Sequence, residues 1–154
     1  MIEWLQTLAD GTSPALQWLV IMFAGAIPFV ESYFGSVLGV LAGVSVPLAI
    51  AAAVVGNWLS MFLLVAFGDK INARRKPKEP TRRQERFRAM FNKYGVAGVS
   101  LLGQTILPSQ ITSLAMVALG TPRQAVVFWQ TISIILWGTA FGLLAAGGVN
   151  LMQG

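Results

Sequence analysis

Residues 46–68 read VPLAIAAAVVGNWLSMFLLVAFG, and no charged side chain interrupts them. An α-helix needs roughly 20 predominantly apolar residues to cross a bilayer, so this stretch predicts a transmembrane helix. Residues 122–147 form a second stretch of this kind, with one charge, Arg123, near its start. Thr121 and Gln124 have the spacing of a capping box, and Pro122 suits the first turn of a helix.

Charged residues are scarce and unevenly placed. The chain has 154 residues, of which 55% are hydrophobic and 11% charged, whereas a soluble domain carries about 25% charged residues. Ten of the eleven Lys and Arg lie in residues 70–93 together with two Glu, which gives that segment a net charge of +8. Because basic residues concentrate in the cytoplasmic loops of membrane proteins, this segment predicts such a loop. No nucleic-acid recognition module surrounds it, so the cluster does not indicate nucleic-acid binding.

The chain contains no Cys and no His, which excludes disulfides, thiolate or imidazole metal ligands and histidine-based triads. The sequence shows no pairing of a nucleophile with a base. We therefore expect neither an enzyme nor a bound metal or cofactor. The first residues, MIEWLQT, have an acid and no basic side chain, which is not the pattern of a secretory signal peptide.

The remaining apolar sequence is divided into pieces too short to cross a bilayer alone. These pieces form two pairs. The first pair is residues 16–29, which end near Pro28, and residues 32–44. The second pair is residues 96–107 and 109–120, which are separated by Pro108. Each pair forms either a kinked span or a re-entrant hairpin, which returns to the side of the membrane from which it entered. Broken backbone at membrane depth is tolerated where protein or a water-filled cavity shields it, so hairpins would indicate a buried polar site. Both alternatives stay open.

Residues 81–94 predict a basic amphipathic helix that lies on the membrane surface. Thr81 and Gln84 have capping-box spacing. Four apolar side chains recur on one face: Phe87, Met90, Phe91 and Tyr94. This pattern suits binding to anionic lipid head groups along residues 70–93. A fainter amphipathic pattern occupies the N-terminus (Ile2, Leu5, Leu8 and Ala9), and residues 74–80 have the composition of a solvated linker.

These pieces define the expected fold, an all-α polytopic membrane protein with a single membrane domain over residues 1–154. Repeat one covers residues 14–68 and repeat two covers residues 95–148, each a broken or re-entrant helical hairpin followed by one full transmembrane helix. Residues 69–94 supply the cytoplasmic basic loop and the interfacial amphipathic helix. Each repeat crosses an odd number of times, so the two repeats are inverted. The expected location is the cytoplasmic membrane of the cell, with both termini on the side opposite the cytoplasm.

Glu31 is the only charged residue within residues 11–68. An intramembrane acid is a functional candidate because its charged form is costly in apolar surroundings, which favours exchange of protons or cations during transport. The alternative is a hydrated, inert position at the outer interface. Asn57 lies at the centre of residues 46–68, where a buried amide either links helices or contacts a ligand.

Polar residues cluster around Pro108 in the second broken pair. They are Gln104, Thr105, Ser109, Gln110 and Thr112. A lipid-facing helix does not carry so many polar side chains, so we expect them to line a cavity or to satisfy frayed backbone. Gln104, Ser109 and Gln110 join Glu31 and Asn57 as candidate proton- or substrate-binding residues.

Gly35, Gly39 and Gly43 recur at every fourth position. This spacing allows close approach of helix backbones, either within the hairpin or between the subunits of a homo-oligomer. Gly138 and Gly142 form a second, shorter example. We expect a role in helix packing at both places.

Two short motifs in the predicted hairpins resemble those of known membrane proteins. Ile27-Pro-Phe-Val-Glu-Ser32 with Gly39-Val-Leu-Ala-Gly43 resembles the Pro-x-x-Glu and Gly-rich first hairpin of the DedA superfamily, also called the VTT domain. Ser100-Leu-Leu-Gly-Gln-Thr-Ile-Leu-Pro-Ser-Gln-Ile-Thr112, with Trp129-Gln130 and Leu136-Trp-Gly138, is similar to small multidrug export or efflux proteins. The resemblance implies two re-entrant hairpins meeting at mid-membrane and movement of lipophilic or amphipathic substrates. Several DedA-type relatives translocate polyprenyl phosphates or phospholipids, often with protons.

One departure from the DedA pattern concerns charge. That pattern has Arg residues beside the second-hairpin proline, suited to phosphate, whereas Pro108 has Gln104 and Gln110 nearby and no Arg. Glu31 matches the family motif, but the phosphate-binding Arg has no counterpart. A site with one acid and no base favours protons or cations over anionic head groups, unless Arg123 reaches inward as an anion contact.

Three functions remain open at this point. The leading hypothesis is a secondary transporter in which protonation of Glu31 is coupled to export of a cationic or neutral amphipathic small molecule. The first alternative is a DedA-like lipid-carrier flippase acting on polyprenyl phosphate or phospholipid. The second is a non-transporting membrane scaffold that assembles through the glycine face.

Overall fold

Every element in the described part of the chain is helical. The computed structural model describes residue 13 and residues 16–72, 81–104 and 106–153, with the backbone alone at residues 69–72 and 153. Six helices follow one another: α1 (Gln17–Ala26), α2 (Glu31–Leu41), α3 (Val46–Asn72), α4 (Arg82–Gly103), α5 (Ser109–Ala118) and α6 (Arg123–Gln153). The all-α prediction is confirmed for these residues. The N-terminal amphipathic pattern, the linker 74–80 and Thr105 lie outside them.

Helices α3 and α6 contain the two stretches predicted to cross a membrane. By length and composition, Val46–Gly68 and Arg123–Met152 can each span a bilayer, with mean hydropathies of 2.1 and 1.8. Only 39% and 22% of their most apolar windows are buried within the chain, whereas a core helix of a soluble protein is mostly buried. Leu63, Leu143 and Leu144 are each more than half exposed, as expected for side chains that face lipid.

The short helices lie where the proline breaks predicted them. α1 and α2 are joined by residues 27–30, and Gly25 lies against Gly35 while Ile21 lies against Gly39, so the two helices run in opposite directions. α4 and α5 are joined across Pro108. Re-entrant insertion of these pairs and the inverted repeat stay predictions.

α2 and α5 end in the same way. Gly43 and Gly120 follow them with φ of 79° and 91°, a left-handed conformation that glycine adopts without steric cost. After each glycine, the next N–H donates to the carbonyl five positions earlier. The N–H of Val44 donates to the Gly39 carbonyl at 3.0 Å, and the N–H of Thr121 donates to the Met116 carbonyl at 3.1 Å. These bonds complete a Schellman motif at each end, so the two predicted repeats share a helix-ending motif.

Two features of these ends differ from prediction. Gly43 does not pack with Gly35 and Gly39, because it lies beyond the end of α2 and a Cβ placed on it would meet no heavy atom within 4 Å. Thr121 does not cap α6, because its hydroxyl has no hydrogen-bond partner. The Schellman bond fixes the Thr121 backbone at the end of α5, and α6 begins only at Arg123.

α4 begins with the predicted capping box. The N–H of Thr81 donates to Oε1 of Gln84 at 2.8 Å, and the N–H of Gln84 donates to Oγ1 of Thr81 at 3.4 Å. The helix is interrupted at Gly95, whose φ of 66° and ψ of −171° are essentially restricted to glycine. Residues 82–94 therefore form the basic amphipathic helix, with Phe87 buried, separately from residues 96–103.

Contacts divide the chain into two compact units. Unit 1 comprises Met1–Ser60 and Ile134–Gly154, and unit 2 comprises Met61–Ser133. The division cuts α3 and α6, so each long helix contributes one part to each unit. It does not follow the boundaries of the predicted repeats at residues 14–68 and 95–148.

Unit 1 contains close helix contacts at small residues. A Cβ placed on Gly25 would clash with the backbone of α3, and one placed on Gly56 would clash with the backbone of α1. Gly35 and Gly39 lie against alanines of α3, to which an added Cβ would approach within 3.0 and 2.7 Å. Transmembrane helices associate through such contacts because small residues let their backbones approach closely.

Candidate functional site

Glu31 lies at the turn between α1 and α2. The Ile27 carbonyl accepts hydrogen bonds from the N–H groups of Val30 and Glu31, both at 3.1 Å. Phe29 and Glu31 have φ of 73° and 52°, which side-chain-bearing residues rarely adopt and which costs on the order of 1–3 kcal/mol each. The strained turn leaves Phe29 61% exposed and Glu31 fully buried. Strain of this kind concentrates at functional sites, which supports Glu31 as a site residue.

Glu31 is followed by two serines that hold α2 against α6. The Ser32 hydroxyl donates to the Ile134 carbonyl at 2.9 Å. A Cβ placed on Gly138 would lie 3.1 Å from the Cβ of Ser32, and one on Gly142 would lie 3.3 Å from the Cβ of Ser36. The Ser-x-x-x-Ser face of α2 therefore packs on the Gly-x-x-x-Gly face of α6. This close contact fixes the position of α2 directly after Glu31.

Asn57 is the other predicted site residue of unit 1. It lies on α3, is fully buried, and follows Gly56, where α3 approaches the backbone of α1. Three further polar or charged residues of this unit are fully buried, namely Glu31, Ser32 and Ser36. Unit 1 thus contains buried polar groups between helices that are otherwise apolar. The position of Asn57 beside a helix contact is compatible with both of its predicted roles.

A row of aromatic rings passes through Tyr33, near the start of α2. The Tyr33 ring lies 4.9 Å from Phe34 and 5.5 Å from Phe141, and Phe141 lies 5.9 Å from Trp137. These centroid distances are typical of favourable aromatic contacts. Aromatic faces also attract cations, most strongly when both are removed from water. Tyr33, two residues after Glu31, is therefore a candidate contact for a cationic group.

The polar side chains around Pro108 fall in unit 2. Ser109, Gln110, Thr112 and Ser113 are all buried on α5. The Thr112 hydroxyl donates to the Pro108 carbonyl at 2.9 Å, and the Ser113 hydroxyl donates to the Ser109 carbonyl at 2.6 Å. Both hydroxyls are therefore bonded to backbone carbonyls four residues earlier. Whether the polar set around Pro108 lines a cavity or satisfies frayed backbone stays a prediction. Ser109 donates to Oε1 of Gln110 at 3.4 Å, which places an amide beside a hydroxyl.

Two buried amides of unit 2 have unused hydrogen-bonding groups. Gln104 is 4% exposed and Gln130 is fully buried, and neither the nitrogen nor the oxygen of either amide has a hydrogen-bond partner. The Ser100 hydroxyl is in the same condition, although the Ser100 carbonyl accepts a hydrogen bond from Ser133 at 2.7 Å. Burying such groups is costly unless they are hydrogen-bonded. They are therefore suited to binding water or a polar group of a ligand.

Sequence reasoning identified Gln104 as a site residue and missed Gln130, Ser133 and Ser100. A signal for them was present, because Gln130 and Ser133 are spaced i, i+3 within an otherwise apolar span. Ser100 and Gln104 are likewise spaced i, i+4. Side chains at these spacings share a helix face, so each pair predicts a polar stripe. The spacing alone does not reveal that the two stripes belong to helices joined by the Ser133–Ser100 bond.

The structure distributes the predicted site residues between the two units. Glu31 and Asn57 lie in unit 1, and Gln104, Ser109 and Gln110 lie in unit 2. All five are buried. Arg123, the candidate anion contact, is exposed at the first residue of α6. Comparisons of the chain with protein-family models, with curated proteins and with solved structures return no match.

Proposed function

We propose that the chain is an integral membrane transporter that exports a cationic or neutral amphipathic small molecule in exchange for protons, with Glu31 as the coupling acid. The observation that carries this proposal is the complete burial of Glu31 in a strained turn between two apolar helices. Of the two acidic side chains in the described residues, Glu31 is buried and Glu85 is exposed. A carboxyl in this position is a site for exchange between a proton and a cation.

The coupling follows from the cost of a buried charge. When Glu31 is ionised, apolar surroundings penalise it strongly, so it binds either a proton or a cationic substrate. Competition between the two means that arrival of a proton from one side releases the substrate, and loss of the proton restores binding. This competition couples the two gradients when access to Glu31 alternates between the two sides of the membrane only with a proton or the substrate bound.

The substrate class is inferred from the aromatic residues that accompany the acid in unit 1. Tyr33 follows Glu31 by two residues, and its ring contacts Phe141, which contacts Trp137. These rings offer apolar area and negative faces, which agree with a cationic or neutral amphipath better than with an anion.

The proposal includes the topology predicted by charge. Residues 69–93 lie in the cytoplasm, both termini lie outside, and each short helix pair re-enters the membrane as part of an inverted repeat. The amphipathic helix 82–94 rests on the anionic inner surface. Gly35 and Gly39 contact helices of the same chain, so two of the three glycines on which the scaffold alternative relied are already occupied.

The test is dye transport in proteoliposomes with an acidic lumen. Protons leave the lumen as a fluorescent cationic amphipath such as ethidium enters, so the wild-type protein should concentrate the dye inside. Glu31→Gln should abolish this gradient-driven accumulation, because the amide cannot bind a proton. Glu85→Gln removes an exposed acid of α4 and should transport as the wild type does.

Size-exclusion chromatography and the helical circular dichroism signal show whether each variant is folded. Normal accumulation by a folded Glu31→Gln variant would contradict the proposal, as would wild-type accumulation that ignores the proton gradient. The same vesicles with a fluorescent phospholipid and dithionite test the flippase alternative. Bleaching of the inner-leaflet fluorophore without dye transport would favour that alternative.

A further inference from the structure

Three buried polar side chains of unit 2 have hydrogen-bonding groups without a partner. Gln104 is 4% exposed, and Gln130 and Ser100 are fully buried. The nitrogen and the oxygen of both amides and the serine hydroxyl make no hydrogen bond. Buried polar groups are almost always hydrogen-bonded, because leaving them unpaired costs a large part of the small net stability of a protein. These groups therefore indicate a bound partner.

The three side chains lie around one contact between α4 and α6. The Ser133 hydroxyl donates to the Ser100 carbonyl at 2.7 Å. Gln130 precedes Ser133 by three residues, and Gln104 follows Ser100 by four. Gln104 keeps helical backbone angles, with φ of −61° and ψ of −21°, so each glutamine shares a helix face with a serine of this bond. Both amides are thus held within about one helical turn of the same interhelical bond.

A third helix and apolar side chains enclose this place. A Cβ added to Gly103, the residue before Gln104, would lie 3.4 Å from the Thr112 methyl group of α5. Val99 and Val126 are both fully buried. Val99 directly precedes Ser100, and Val126 lies one turn before the Gln130 amide on α6. The polar groups are therefore surrounded by helices and by apolar side chains, so a ligand is needed to satisfy them.

Unit 1 has a small residue at the corresponding place. Gly56 lies 13 residues after Gly43, the glycine that follows α2. Ser133 likewise lies 13 residues after Gly120, which follows α5. A Cβ on Gly56 would clash with the α1 backbone, whereas Ser133 joins α6 to the α4 backbone through its hydroxyl. Unit 2 therefore has polar groups, including Gln130, where unit 1 has a direct backbone contact.

The type of ligand follows from the groups that it has to satisfy. A primary amide has two N–H donors and one oxygen acceptor, and a hydroxyl both donates and accepts. A cation would bind the oxygens and leave the amide N–H groups unpaired, and an anion would do the reverse. Two amides bonded directly to each other would still leave one N–H of each unpaired. The ligand that matches is neutral and both donates and accepts hydrogen bonds.

We infer that Gln104, Gln130 and Ser100 form one site in unit 2, which binds a small neutral molecule that both donates and accepts hydrogen bonds. An ordered water and the amide or hydroxyl group of a small solute share this chemistry. The inference goes beyond the proposed transport function and does not rest on it, because neither Glu31 nor a proton takes part in the binding.

The first test compares midpoints of thermal unfolding in detergent for Gln104→Met, Gln130→Met and the double variant. Methionine is unbranched, as glutamine is, and has no amide. Each single variant should have a lower midpoint, because it leaves the ligand and the other amide incompletely bonded. The double variant should lose less than the sum of the two, since both amides share one ligand. Gln124→Met removes an exposed amide of α6 and should leave the midpoint unchanged.

The second test identifies the ligand class with acetamide, acetate and methylammonium, three solutes of similar size, at equal ionic strength. Acetamide that raises the midpoint of the wild type but not of the double variant would show that the site binds a small neutral solute. A crystal structure without added solute that shows a molecule bonded to both amides, in a chain that responds to none of the three solutes, would identify water. Either result supports the inference.

Higher midpoints in both single variants would show that the amides are buried without a ligand and would overturn the inference. Strictly additive losses would do the same, because the amides would then not share a ligand. A crystal structure in which Gln104 bonds Gln130 directly would also overturn it, as would greater stabilisation by acetate or methylammonium than by acetamide. The wild-type crystal structure decides alone if the variants do not fold. Dye accumulation stays a separate readout, so failed transport with an occupied site would remove only the proposed function.

Discussion

Gly56 determines how closely α1 and α3 approach, because a side chain at this position would overlap the Met22 backbone. We predict that Gly56→Ala destabilises the chain by about 1–3 kcal/mol, the usual cost of overpacking. The measurement is the midpoint of thermal unfolding in detergent. Backbone atoms form the obstacle, so a change of rotamer cannot relieve the overlap.

Gly147→Ala is the matched control for this prediction. It lies on α6 in the same unit, and an added Cβ would meet no heavy atom within 4 Å. Alanine is better than glycine in a helix interior by roughly 0.5–1 kcal/mol, so the control should be neutral or slightly stabilising. A midpoint for Gly56→Ala equal to that of the control would show that α1 and α3 do not touch at this glycine.

At the scale of elements, the bond from Ser133 to the Ser100 carbonyl links α6 to α4 in unit 2. We predict that Ser133→Ala lowers stability by about 1 kcal/mol, the order found for interhelical hydrogen bonds in membranes. The measurement is unfolding by titration with sodium dodecyl sulfate, followed by circular dichroism.

Ser113→Ala is the comparison for Ser133→Ala. The Ser113 hydroxyl is equally buried but donates within its own helix, to the Ser109 carbonyl at 2.6 Å. Its removal breaks no link between helices and should cost less. The interhelical role of Ser133 would be refuted if Ser113→Ala proved as destabilising as Ser133→Ala.

The positions of the elements followed from the sequence more readily than their contacts. Pro28, Pro108 and the long apolar stretches have strong local effects on the backbone, so the helix breaks and the two long helices were predictable. The packing of Ser32 and Ser36 on Gly138 and Gly142 was not. Because lipid and protein interior are both apolar, a membrane helix has little amphipathic periodicity to indicate which face meets which partner.

The candidate site was predictable only in part for the same reason. Glu31 stood out because it is the single charge in a long apolar segment. Gln130 did not, because its spacing from Ser133 does not reveal the Ser133–Ser100 bond that joins this face of α6 to α4. The strain at Phe29 and Glu31 also had no sequence signal, because it depends on how residues 27–31 close the turn between α1 and α2.

At the scale of the whole molecule, the proposed topology can be tested because the chain contains no cysteine. A single cysteine introduced as Arg88→Cys should lie in the cytoplasm, and one introduced as Met152→Cys should lie outside. Both positions are exposed. A membrane-impermeant maleimide should label the second variant in intact cells and the first only after permeabilisation.

Expression levels and labelling in detergent show that both thiols can react. Labelling of both variants from the same side would contradict a single crossing by α6 and, with it, the inverted arrangement. Labelling of Arg88→Cys alone in intact cells would reverse the orientation derived from the basic loop. The outcome does not depend on any transport activity.

The serines of the short helices have a consequence for how the chain is built into a membrane. Ser36 donates to the Ser32 carbonyl and Ser113 to the Ser109 carbonyl, each at 2.6 Å and within one helix. These two hydroxyls therefore need no neighbouring helix, and on the proposed topology they add little to the desolvation penalty of α2 and α5 in lipid. The amides of Gln104 and Gln130 have no such local partner, so on the same topology their segments enter lipid favourably only alongside other polar groups.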